Sequence, residues 1–77
     1  MVDLIKLKYI VGHSPYSYHQ VHTKAKLTRA GYRYWNGIRA MPLEVAMRIA
    51  LVLEVDVREF LNADGLWLLR NSTKGKV

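Results

Sequence analysis

Hydrophobic and polar positions divide the chain into four apolar stretches separated by breakers. In the first, Leu4, Leu7, Ile10 and Val11 share one helical stripe, while Ile5, Leu7, Tyr9 and Val11 alternate with Lys6 and Lys8 as in a strand. Asp3 is a suitable N-cap, and helices follow, so helix is favoured over residues 2–11, with strand left open. Gly12 ends this stretch. Ser14-Pro15 then reads as an N-cap with proline at the first helical position. The helix it predicts, about 15–25, places Tyr18, Val21, His22 and Ala25 on one side. Thr28 caps a second short helix that runs to Trp35 and is stopped by Asn36-Gly37. Gly31 inside that helix costs about 1 kcal/mol relative to alanine, which points to a close approach there.

Pro42 opens the clearest amphipathic helix. Leu43, Ala46, Met47, Ile49, Ala50 and Leu53 form its apolar face, opposite Glu44, Arg48 and Glu54. Asp56-Val57-Arg58-Glu59 has the form of a capping box for a short helix through Leu61. Gly65 marks a boundary before the apolar run 66–69, and a polar tail, expected to fray, covers 71–77. The pattern predicts a single all-α domain over 1–77. Its first part, about 15–36, is a helix-turn-helix unit, and 42–61 supplies the packing helices.

Composition narrows the function. The chain has 77 residues, 51% hydrophobic and 23% charged, with two prolines and no cysteine. It is too short for a large multi-part catalytic pocket and too apolar for a disordered tail. Disulfides and thiolate-held metals are excluded. No signal peptide is evident and no run approaches about 18 apolar residues, so a cytoplasmic protein without a membrane span is expected. The net charge is +6, and its distribution is lopsided. Residues 1–42 carry seven bases (Lys6, Lys8, Lys24, Lys26, Arg29, Arg33, Arg39) against Asp3 alone, whereas residues 43–77 carry five bases and five acids. An anionic partner met by the first half is implied.

The stretch from Ser17 to Leu61 resembles the Cro/repressor-type (XRE-like) helix-turn-helix DNA-binding family of bacteria and phages. Pro42, Leu43-Glu44, Met47-Arg48-Ile49-Ala50, Leu53, Val55 and Glu59-Phe60-Leu61 resemble the family's fourth and fifth helices. Trp35-Asn36-Gly37 resembles the end of its recognition helix and Thr28-Arg29-Ala30 the polar start of that helix. Trp67-Leu68 before a basic end is similar to the C-terminus of some phage Cro proteins. The chain departs from the pattern at His22, where the two helices usually touch through alanine, and at Lys26 and Glu54, where the family usually has glycine. Tyr32 stands at the apolar position inside the recognition helix, where the fold needs a core residue.

The resemblance implies a small five-helix, lambda-repressor-like domain with a short C-terminal extension. It also implies a sequence-specific regulator of transcription, a repressor or activator, that binds double-stranded DNA in a bacterial or phage-infected host cell. Thr28, Arg29, Ala30 and Arg33 would then face base edges, with Tyr18, Lys24, Lys26 and Arg39 near phosphates and Tyr34 suited to either. Leu51, Leu66, Trp67 and Leu68 are expected either to complete the core or to form a homodimer interface. A two-fold dimer would space the recognition helices by roughly 34 Å.

The other readings are weaker. A helix-turn-helix-shaped protein-interaction module, such as an antitoxin or a phage-encoded inhibitor, is the alternative that His22, Lys26 and Glu54 favour. Interleaved tyrosine and arginine also suit single-strand stacking. His13, His19 and His22 are the only metal-ligand candidates, with no acid near them in sequence, and no metal or other cofactor is expected. No catalytic constellation stands out, so no enzyme activity is expected.

Overall fold

The computed structural model describes residues 2–74, with side chains described through residue 71. Its first segment is a helix, α1 (Leu4–Gly12). Asp3 caps it by accepting the Ile5 and Lys6 N–H groups on Oδ1 at 3.1 and 3.2 Å. The helical stripe is the one that packs: Leu7 and Val11 are buried, with Leu4 and Ile10 against them, while Ile5 stays 83% exposed.

Helix α2 (Tyr18–Lys24) begins three residues later than Ser14-Pro15 suggests. Ser17 is the cap, in a reciprocal box with Gln20. Ser17 Oγ accepts the Gln20 N–H at 3.2 Å and Gln20 Oε1 accepts the Ser17 N–H at 2.8 Å. That arrangement satisfies two helix-end donors, whereas a helix capped by Ser14 would have Ser17 at its third position in place of the Glu or Gln that reaches back. Ser14 instead closes α1, its hydroxyl donating to the Val11 carbonyl at 2.7 Å.

The segment after α2 is also not one continuous helix. A 3₁₀ turn over Arg29–Gly31 leads into a single α-turn, α3 (Tyr32–Trp35). Thr28 makes no side-chain cap. Its carbonyl does the work, accepting the Gly31 N–H at 2.8 Å and closing the tighter i→i+3 ring.

Three helix ends share one C-terminal motif. After α2, the Leu27 N–H donates to the His22 carbonyl and the Lys26 N–H to that of Thr23. After α3, Ile38 and Gly37 repeat the pattern with Arg33 and Tyr34. After α4 (Leu43–Leu53), Val55 and Glu54 repeat it with Ala50 and Leu51. Each is a Schellman ending and needs a left-handed residue. Gly37 supplies it at φ 74°, whereas Lys26 and Glu54 adopt it at 58° and 57° with side chains attached. Lys26→Gly and Glu54→Gly are each expected to stabilise the domain by about 0.5 kcal/mol, the left-handed strain relieved outweighing the glycine's added unfolded-state entropy. A denaturant midpoint that rises at constant m-value checks this.

Helix α4 buries Ala46, Ile49, Ala50 and Leu53, but Met47, read from sequence as part of that face, is exposed. Helix α4 lies against α2, against a 3₁₀ turn over Val57–Phe60 and against the last helix, α5 (Ala63–Lys74). The expected capping box there is not formed. Asp56 accepts the Arg58 N–H, and its carboxylate holds the Arg58 guanidinium at 2.6 Å. These hydrogen bonds pull the Asp56 carboxyl down to about 2. The turn carries Phe60, which is fully buried and packs toward α1. The Asp3 N–H donates to the Phe60 carbonyl at 2.8 Å, and Val2 bridges Leu61.

The C-terminal reading needs the largest correction. Gly65 is not a boundary, and residues 71–74 are not an irregular tail; both lie within α5 (Ala63–Lys74). Asn62 starts this helix by accepting the Gly65 N–H on Oδ1 at 3.0 Å, and Asp64 adds an acid to the first turn. Gly65 is buried, and Leu69, one turn on, packs against the core. Residues 75–77 of the expected tail lie outside the described residues. The domain is thus all-helical, with no strand among the described residues. Among them no helix is long and apolar enough to cross a membrane.

Candidate nucleic-acid interface

The α2–turn–α3 unit is locked by His22. Its imidazole is 4% exposed and stacks on Tyr32 at 3.9 Å with planes 9° apart. The indole Nε1–H of Trp35 donates to His22 Nδ1 at 3.3 Å. An indole nitrogen can only donate, so Nδ1 carries no proton and Nε2–H must donate to the Thr28 carbonyl at 2.9 Å. One neutral ring thereby joins α2 to both ends of the following segment. The same ring explains Gly31: a Cβ there would sit 3.0 Å from His22 Cε1 and 3.2 Å from Leu27 Cβ.

Tyr32 does not fill the core as its position suggests. It is 39% exposed, lying across His22 with its hydroxyl 2.9 Å from His19 Nδ1, and Trp35 takes the buried place. The difference follows from His22, whose ring occupies the space that an alanine there would leave open. Sequence reading treated His22 as a departure to be accommodated. It is the organising side chain, and the i, i+10 pairing with Tyr32 leaves no signature in a linear pattern.

Locking the unit leaves its polar residues outside. Thr28, Arg29, Ala30 and Arg33 are exposed, Arg29 on the 3₁₀ turn and Arg33 on the α3 turn that follows it. Arg39, Lys24 and Lys26 are exposed as well. Tyr34 is half-buried against the core, which limits its reach. Tyr18 lies edge-on to Trp35 at 5.5 Å, its hydroxyl 3.4 Å from the Lys8 carbonyl.

No family model matches the chain, and neither a curated protein nor a solved structure is significantly similar to it. The chemistry must therefore be read from the surface itself. Two ion pairs are present among the described residues, Arg48 with Glu44 and Arg58 with Asp56, both in the second half. Among the described residues none of the seven bases of the first half is in an ion pair, and all seven are exposed. The field they create is available to an external anion.

The histidines do not converge. His13 stacks on Tyr9 and bonds the Tyr9 carbonyl at 2.9 Å, while His19 and His22 have the partners given above. Among the described residues no group of three or more His, Asp or Glu side chains is placed to hold a metal ion. The residues expected at a dimer contact also separate. Leu66, Trp67 and Leu68 are exposed on α5, with Trp67 at 62%. Leu51, 79% exposed on α4, lines a cleft with Lys24, Ala25, Lys26, Arg48 and Val52 that none of the three α5 residues touches. Sequence reading missed Ile5 and Tyr9, which stand exposed one turn apart on α1. Their signal was the alternation with Lys6 and Lys8 that also suggested a strand.

Proposed function

We propose that the chain is a sequence-specific double-stranded DNA-binding regulator of transcription, with a Cro/repressor-like arrangement of its five helices. The observation that carries this reading is the pair Arg29 and Arg33. Both are exposed, neither has an acidic partner among the described residues, and they stand on a 3₁₀ turn and on α3, whose two ends are fixed to α2 by one buried ring. A rigid mount presenting two guanidinium groups suits bidentate contact with guanine in the major groove. The left-handed backbone at Lys26 and Glu54 supports the same reading, because the resemblance asks for that conformation at those positions. Thr28 and Ala30 complete the base-facing set, and Arg39 holds a phosphate. The exposed Leu66, Trp67 and Leu68 seat a second copy, which places two such helices on one duplex.

The test is a gel shift with the duplex upstream of the chain's own gene, in excess nonspecific competitor. Saturable, competitor-resistant binding is expected, weakening with salt by about 0.9 in log–log slope for each phosphate neutralised. Arg33→Ala is expected to lose about 1–3 kcal/mol and to relax base preference at one position. Binding that any duplex competes away, or an Arg33→Ala protein that reads every sequence as its parent does, overturns the proposal.

A further inference from the structure

The cleft between the α2 turn and α4 brings together side chains that the sequence assigned to different tasks. Lys24 and Lys26 were expected at DNA phosphates and Leu51 at a dimer contact, yet they line one concavity of about 500 Å³ with Ala25, Arg48 and Val52. No acid lines it, and none of Thr28, Arg29, Ala30 or Arg33 does. Arg48 is paired with Glu44 at 2.9 Å, an exposed i, i+4 contact, so Lys24 and Lys26 are the lining cations without an acidic partner. The Lys24 ammonium stands 5.5 Å above the Tyr16 ring, and Lys26 is held in a left-handed conformation at φ 58°. The side chain that Lys26 keeps at the cost of this strain is one of the cleft's walls.

Three occupants can be weighed. A second copy docked about a two-fold axis through Leu51 would bring together two linings that each carry Lys24 and Lys26 and no acid to answer them. A DNA phosphate would satisfy the lysines but would lie against Leu51, 79% exposed, and Val52, which offer it no donor. An acidic polypeptide with an apolar side chain satisfies both halves of the surface, because carboxylates meet the lysines and the apolar group covers Leu51.

We propose that this cleft docks an acidic segment of another protein, with one apolar side chain seated against Leu51 and Val52 between Lys24 and Lys26. The site is separate from the Arg29–Arg33 surface and stands whether or not that surface reads DNA.

The probe is a fluorescein-labelled glutamate-rich peptide with one central leucine, its anisotropy followed on titration with the full chain. Saturable binding is expected. Leu51→Ala is expected to weaken it about tenfold, the loss of one buried leucine contact. Lys24→Glu with Lys26→Glu is expected to abolish it, and glutamate is tolerated at position 26 because Glu54 already holds the same left-handed conformation in this chain. Far-ultraviolet circular dichroism identifies any variant that has unfolded, and Lys24→Gln with Lys26→Gln then repeats the test without charge reversal. Arg29→Ala with Arg33→Ala is expected to leave peptide binding unchanged. The proposal fails if a peptide with alanine in place of leucine binds equally well, or if the arginine variant loses as much binding as the lysine variant. It also fails if removing the lysine charges abolishes duplex binding and spares the peptide, which would assign the cleft to a nucleic-acid backbone.

Discussion

His22→Ala is expected to destabilise the domain by about 2–4 kcal/mol, the sum of a lost stack, a small cavity and two stranded polar groups. The stranded groups are the Trp35 Nε1–H and the Thr28 carbonyl, now held by the two nitrogens of one ring. A domain of this size is stable by only about 0.05–0.15 kcal/mol per residue, so a loss of that order removes a large share of the total. Chemical denaturation gives the number. Near-ultraviolet dichroism of a Trp67→Phe background, in which Trp35 is the sole indole, shows whether α3 detaches. His22→Phe keeps the stack on Tyr32 without the hydrogen bonds and is expected to fall between the parent and His22→Ala. A His22→Ala protein as stable as its parent would remove the imidazole as the element joining α2 to α3.

Gly31→Val is expected to cost about 3 kcal/mol through overpacking. Its Cβ arrives 3.0 Å from a ring that cannot retreat, since Tyr32, Trp35 and Thr28 hold it on three sides. Gly31→Ala meets the same atoms but gains about 0.4–1 kcal/mol by narrowing the unfolded ensemble at a backbone conformation alanine accepts, so its net effect is small. The two sites are coupled. In a His22→Ala background the valine enters vacated space, and a double-mutant cycle is expected to show the two costs strongly non-additive. Additive costs would mean that the glycine is required for some other contact. Loss of duplex binding by both single variants, measured where each is still folded, would tie the lock to the presentation of Arg29 and Arg33.

Much of the architecture was legible because it follows from short-range rules. The Leu7 and Val11 stripe, the Pro42 start, the buried Ala46, Ile49, Ala50 and Leu53, and the Asn36-Gly37 stop are periodicity and breaker signals that act within a few residues. Mistakes arose where two local signals competed. Ser14-Pro15 and Ser17-x-x-Gln20 both announce a helix start, and only the reciprocal hydrogen bonds of the second decide between them. Gly65 reads as a breaker, but Asn62 caps the helix that contains it, and the glycine's missing side chain lies on the buried face. Legibility of the candidate site was of a different kind. Arg29 and Arg33 were identified by charge and spacing. The grouping of Lys24 and Lys26 with Leu51 was not, because it depends on how α4 lies beside the α2 turn.

The linear pattern carried the helical class, the Asp3 and Pro42 helix starts, the Asn36-Gly37 stop and the concentration of positive charge in the first half. These are properties of near neighbours and of totals. Packing in three dimensions makes His22 a buried lock rather than a misfit, lays Tyr32 on that ring while Trp35 goes inside, and gives a leucine on α4 a cleft shared with two lysines of α2 and its turn. Each depends on side chains far apart in the chain meeting in one orientation. A pattern of polar and apolar positions records whether a residue tends to be buried, but not which partner it meets.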